Sequence, residues 1–140
     1  METVGYTHTY PYRFLALDHR FPVLTVRLAN PQRLQDAVEV DGILDSGTEI
    51  SVFPATLAQA LGVPPELGRP WRLETASGGV IHARRLWIAL TIPDHGFHRI
   101  EPAFTWGEMA RNLLGRDVFD LLQVGFRERH GTFFLGPNPS

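Results

Sequence analysis

Proline and glycine, 11 and 13 of the 140 residues, cut the apolar residues of this chain into short runs. Proline removes a backbone donor and glycine carries the largest entropy cost on ordering, so long helices cannot cross such breaks. The pattern predicts an all-β domain with one or two short helices. Phe21 to Leu28 (FPVLTVRL) alternate as a half-buried strand does, Ala37 to Leu44 (AVEVDGIL) read as a second strand, and ANPQ between them supplies the turn. Ala55 to Leu61 (ATLAQAL) has helix-forming composition between Pro54 and a stopping Gly62. Strands are expected around Trp71 to Ala76 and over Ile81 to Ile92, joined by a tight turn at Ser77-Gly78-Gly79, and again over His98 to Thr105. Asn112 to Leu122 (NLLGRDVFDLL) changes to a helical period after Gly115, and a break at His130-Gly131 within Val124 to Leu135 predicts a closing hairpin. A chain of this length holds one core rather than two lobes, so residues 21–135 are read as the folded domain, 1–20 as an N-terminal arm or strand and 136–140 as a tail.

Composition narrows the chemistry. The formal charge of −2 is spread without a long single-sign run, so no nucleic-acid partner is implied. The absence of cysteine removes disulfides, thiolate catalysis and cysteine-ligated zinc together. Every basic residue besides histidine is arginine, which excludes Schiff-base chemistry and a P-loop lysine. The N-terminus has neither the basic start nor the apolar stretch of a secretory signal, and no window reaches membrane-spanning length. The expectation is a cytoplasmic protein with no membrane partner and no cofactor.

The sharpest local feature is LDSGTEISVFP, Leu44 to Pro54, in which an apolar strand delivers Asp45 into a Ser46-Gly47 turn. An aspartate held at a strand end by the Gly47 amide can polarise a water, and the Ser46 hydroxyl can fasten the loop. Gly47 leaves room for a second carboxylate to approach. Two carboxylates in contact cannot both ionise easily, so they share a proton and supply an acid and a base at once. By itself an Asp-[Ser/Thr]-Gly triplet occurs by chance in roughly one chain in fifteen of this length, and an ordinary β-turn after a strand is the better explanation of the triplet alone.

The second segment, NLLGRD at Asn112 to Asp117, gives the triplet a context. LDSGTEISVFP, then a glycine hairpin, then NLLGRD opening a helix, resembles the retropepsin-like aspartic proteases, the family of retroviral proteases and their cellular and bacterial relatives. The likeness covers roughly Phe21 to Leu135 and implies a retropepsin-like acid-protease barrel with one lobe per chain. It implies that Asp45 is the catalytic carboxylate within Asp45-Ser46-Gly47, and that Ser46 interlocks with its twin across a dimer axis. Leu113-Leu114-Gly115 matches the apolar-apolar-Gly segment that braces the catalytic loop, and Arg116-Asp117 the polar start of the C-terminal helix. Ala76-Ser77-Gly78-Gly79 falls where the family's mobile flap belongs. Thr48 stands where alanine is commoner and Glu49 where the retroviral members carry aspartate, both beside the substrate groove; a Glu49–Arg116 ion pair is expected. The chain holds no second Asp-[Ser/Thr]-Gly, so the resemblance implies a homodimer that brings two Asp45 residues to its axis and binds a peptide or protein substrate as an extended strand.

Other groupings carry less. His82, His95 and His98 with Asp94 and Glu101 lack diagnostic metal spacing and read as a polar turn between strands. No Gly-x-Ser-x-Gly elbow is present. Trp71, Trp87 and Trp106 fit a core or a dimer surface, Arg84-Arg85 and Arg127-Glu128-Arg129 fit solvated faces, and Asp117 and Asp120 fit favourable charges at a helix start. The alternative to a peptidase is a retropepsin-like fold without activity, used for dimerisation or peptide binding.

Overall fold

The computed structural model describes residues 5–16, 19–75, 77–107 and 111–139. Its strands run in chain order as β1 (His8–Pro11), β2 (Arg13–Ala16), β3 (His19–Phe21), β4 (Val23–Ala29), β5 (Val38–Leu44) and β6 (Val52–Pro54). Helix α1 (Ala55–Ala60) follows, then β7 (Arg69–Glu74), β8 (Val80–Arg85), β9 (Ile88–Ile92), β10 (Gly96–Ile100), β11 (Ala103–Thr105) and β12 (Asn112–Leu114). Helix α2 (Arg116–Phe119), β13 (Leu122–Arg127) and β14 (Thr132–Pro137) close the chain. Among the described residues no helix is long and apolar enough to cross a membrane.

Strand alternation builds the core. On β4, Val23, Leu24, Val26 and Leu28 are buried while Arg27 points to solvent, and β9 adds Ile88, Leu90 and Ile92 from the neighbouring strand. Phe53, Phe104, Leu114, Val118, Phe133 and Leu135 complete one continuous cluster. Short α1 buries Ala55 and Ala58, and Gly62, at φ 74°, ends that turn as its position predicts.

The main sheet has the order β10-β9-β4-β5-β12-β6-β11-β8-β7. Its centre is what positions the candidate site. Strand β12 lies parallel to β5, with Gly42, Ile43 and Leu44 opposite Asn112, Leu113 and Leu114, and meets β6 on its other side at Val52. The two arms that flank the Asp45 loop are therefore wedged apart by a strand arriving from seventy residues downstream. Gly42 makes this possible: a Cβ there would come within 2.7 Å of Leu114 Cγ, so the leucine packs on bare backbone.

Two expected strands are each divided. Ile81 to Ile92 breaks at Leu86-Trp87 into β8, which pairs with β7 and β11, and β9, which pairs with β4 and β10. His98 to Thr105 breaks at Glu101-Pro102 into β10 and β11, on opposite sides of the sheet order. Pro102 cannot donate a ladder bond, and its carbonyl instead accepts the Leu86 amide at 3.3 Å. The N-terminal segment is built into the fold. Strand β1 pairs antiparallel with β14 in the sheet β1-β14-β13, Tyr10 stacks on Phe133 at 5.0 Å, and the Tyr12 ring is buried. Burial, followed by a hydrogen bond to Glu128, pushes the Tyr12 hydroxyl up to about 12.

Candidate active site

Strand β5 ends at Leu44, and Asp45 begins a tight loop whose backbone is clamped on both sides. The Asp45 amide donates to the Leu114 carbonyl at 2.9 Å, and the Arg116 amide donates to the Thr48 carbonyl at 2.8 Å. Within the loop, the Gly47 amide donates to Asp45 Oδ1 at 2.9 Å and the Thr48 hydroxyl donates to Asp45 Oδ2 at 2.9 Å. Both carboxylate oxygens are thus oriented by short local donors, while the side chain stays half-buried with lone pairs left for a water. The Thr48 hydroxyl is an extra anchor that an alanine could not supply. Ser46 is exposed, and no hydrogen bond among the described residues involves its hydroxyl.

Below the loop lies a network that the sequence did not disclose. Ser51, fully buried, donates its amide to Asp117 at 3.0 and 3.1 Å and its hydroxyl to Asp117 Oδ1 at 2.7 Å, while Ser51 Oγ accepts the Gly115 amide at 3.0 Å. Asp117 also accepts the Val118 amide at 3.0 Å, which agrees with a charge at the helix start, but its larger task is to tie β6 to the β12–α2 turn. Asp120 falls after α2 rather than at its beginning. Gly115 is required by space: a Cβ would lie 2.7 Å from the Thr48 oxygen and from the Ile50 carbonyl carbon. A buried polar residue inside the apolar run Ile50–Phe53 was the visible sign of this network; its partner, sixty-six positions away, was not.

An open groove of about 410 Å³ lies between this loop and β7. Gly47, Thr48, Glu49 and Arg116 line one side; Trp71 and Leu73 face them from the other. Strands β7 and β8 form a hairpin whose last register pair is Glu74 with Val80. At its tip the Thr75 amide donates to the Gly79 carbonyl at 2.9 Å, the Gly79 amide returns a bond to Thr75 Oγ1 at 2.9 Å, and Gly78 adopts φ 88°. Ser77, Gly78 and Gly79 therefore occupy the expected turn; Ala76 lies outside the described residues.

The expected ion pair is not formed. Glu49 and Arg116 are exposed on the same groove, but the ion pairs among the described residues are His8–Asp94, Arg13–Asp41, and Glu101 with Arg69 and Arg85. Two long solvated side chains gain too little from pairing to offset their lost freedom. Arg85 departs from a solvated face, being 16% exposed and bonded to the Glu101 carbonyl at 2.9 Å. Trp87 and Trp106 are each 54% exposed rather than core. His82 sits on β8, away in the sheet from the β9–β10 turn that carries Asp94, His95 and Gly96, so the histidines do not converge. Burial, with His8 adding to it and Asp94 opposing, lowers the His95 pKa.

The family model described as aspartyl protease matches residues 31–118, a span that contains the Asp45 loop, the β7–β8 hairpin and the Leu114-Gly115 brace. The chain belongs to the aspartyl protease family. Within this family its fold is retropepsin-like. It is similar to EIAV protease solved with an inhibitor, at 15% identity and a TM-score of 0.54 over 77% of this chain and 92% of that one. It is also similar to a retropepsin-like aspartic protease from Rickettsia conorii, at 17% identity and a TM-score of 0.56 over 81% and 89%. Among curated proteins no match emerges. At these identities the two structures speak for the fold, and an aspartyl protease of this architecture carries one Asp-Ser-Gly loop per chain here.

Proposed function

We propose that this aspartyl protease is a cytoplasmic homodimeric endopeptidase in which Asp45 and Asp45 of the partner subunit form the catalytic dyad. The observation that carries the reading is the orientation of both Asp45 oxygens by Gly47 and Thr48, two residues that also line an open groove. One carboxylate, ionised, takes a proton from the attacking water; the other, protonated, donates to the scissile carbonyl oxygen. The tetrahedral intermediate then collapses as a proton passes to the departing amine, and no covalent bond to the enzyme forms. Ser46, with its exposed hydroxyl, interlocks across the dimer axis. The hairpin tip at Ser77, Gly78 and Gly79 closes as a flap over an extended substrate, with Thr48 and Glu49 lining its path.

The test is cleavage of a randomised peptide library from acidic to neutral pH, with dimerisation followed by sedimentation. Asp45→Asn should keep the dimer and lose activity by at least roughly a hundredfold, the scale of a lost acid–base group. Equal cleavage by both proteins removes the dyad; intact dimers that bind peptides but cleave none favour an inert peptide-binding module.

A further inference from the structure

Behind the groove wall, two arginines lie over one aromatic ring and share one carboxylate. Arg69 and Arg85 are direct partners in the β7–β8 register, an arrangement in which like charges repel. Both guanidinium groups nevertheless lie over the ring of Trp71, at 5.4 and 4.5 Å from its centroid. Glu101, just before β11, resolves the conflict. Its Oε1 is 2.7 Å from Arg69 and 3.5 Å from Arg85, and its side chain is only 14% exposed. Water screens the pair with Arg85, itself 16% exposed, only weakly, whereas Arg69 is 56% exposed and its attraction to the carboxylate is screened more. Trp71 is fixed from beneath by Ile50, Ala83 and Ala103, and turns toward the groove that Gly47 and Thr48 line.

We infer that Glu101 is a positioning residue that, through Arg69 and Arg85, holds Trp71 as the specificity-determining wall of the groove, selecting peptides with a large apolar side chain at the position that meets it. The inference rests on the reading of this groove as the peptide site. Without the carboxylate the two guanidinium groups repel, leave the ring and free Trp71 to swing. Glu101 does this without touching substrate, across a strand from the groove.

The experiment uses a randomised peptide library in two ways. Peptides retained by immobilised Asp45→Asn protein are sequenced, and peptides cleaved by the otherwise unaltered protein are sequenced in parallel. Each is repeated with Trp71→Leu, Glu101→Gln, Arg69→Gln and the Arg69→Gln/Glu101→Gln pair. Trp71→Leu and Glu101→Gln should each lower enrichment of large apolar residues at one position by roughly tenfold, the range of a reshaped apolar pocket. The double variant, relieved of the opposed cations, should regain most of that selectivity. Trp71 emission, recorded in a Trp87→Phe/Trp106→Phe background, should shift in Glu101→Gln and return in the double variant, which separates loss of positioning from loss of folding. Unchanged selectivity in Trp71→Leu, or a double variant no better than Glu101→Gln, overturns the inference even if cleavage proceeds. Absence of any cleavage overturns the peptidase reading alone, because retention still reports on the wall; absence of any retention overturns the wall as well.

Discussion

The Asp45 loop and the β7–β8 hairpin border one groove but are secured by unlike means. Around the loop, Ile50, Ser51, Val52 and Leu114 are all buried, and backbone bonds from Asp45 to Leu114 and from Arg116 to Thr48 fasten it to a strand far along the chain. The hairpin tip is exposed from Ser77 to Ile81, with apolar Val80 and Ile81 left 40% and 39% accessible, and its closing bonds converge on the single residue Thr75. Local opening free energy follows burial and non-local bonding. The loop should therefore open only when the whole domain does, whereas the hairpin can part from the groove at low cost. The proposed peptidase would use both, the loop to keep the carboxylate fixed and the hairpin as a cover that yields.

The comparison breaks most severely at Gly115. Its Cβ-free surface touches the backbone of Thr48 and Ile50, so Gly115→Ala forces the loop and its brace apart. A loss of on the order of 3 kcal/mol, seen as a melting temperature roughly 10 °C lower, is expected together with loss of cleavage. Asp117→Ala should come next. It strands the buried Ser51 amide and hydroxyl, for a cost of about 2 kcal/mol in denaturant unfolding, and loosens the Asp45 loop with no change at the hairpin. Thr48→Val is smaller in stability but direct in effect. Removing one donor to Asp45 while keeping shape should lower kcat/KM by roughly tenfold, with the melting temperature nearly unchanged. A melting temperature that falls as far in Thr48→Val as in Asp117→Ala would erase the distinction between aiming the carboxylate and holding the loop.

The same contrast explains which parts could be read from residues alone. Strand β5, helix α1 and the glycine turn at Ser77–Gly79 are local: alternation, a stopping Gly62 and a positive φ at Gly78 are written where they act. The division of Ile81 to Ile92 was hidden because neither proline nor glycine marks Leu86-Trp87, whereas the neighbouring division is marked by Pro102. Asp45 and Gly47 in the loop and Gly115 in its brace stand out as motifs, but Ser51 with Asp117, and Glu101 with Arg69 and Arg85, depend on strand order. Pairing across sixty-six residues leaves no periodic trace. The reverse error, the expected Glu49–Arg116 pair, came from carrying over what the family resemblance implies; both side chains are exposed here, where sharing one groove does not bring contact.

The smallest effect should come from the other side of the groove, at Thr75. Its hydroxyl accepts the Gly79 amide at 2.9 Å and lies 3.1 Å from Ser77 Oγ, so Thr75→Ala unties the tip without touching the core. Exposed hydrogen bonds contribute about 1 kcal/mol at most, and the melting temperature should move by no more than a few degrees. The change belongs in exchange and binding instead. Hydrogen exchange at Gly78 and Gly79 should quicken while Asp45 and Gly115 keep the protection of global unfolding, and KM should rise with kcat held, because a looser cover costs ordering when substrate arrives. If Thr75→Ala lowered kcat as far as Thr48→Val does, the tip would be helping to aim the chemistry, and the hairpin would have to be counted with the loop as one fixed body.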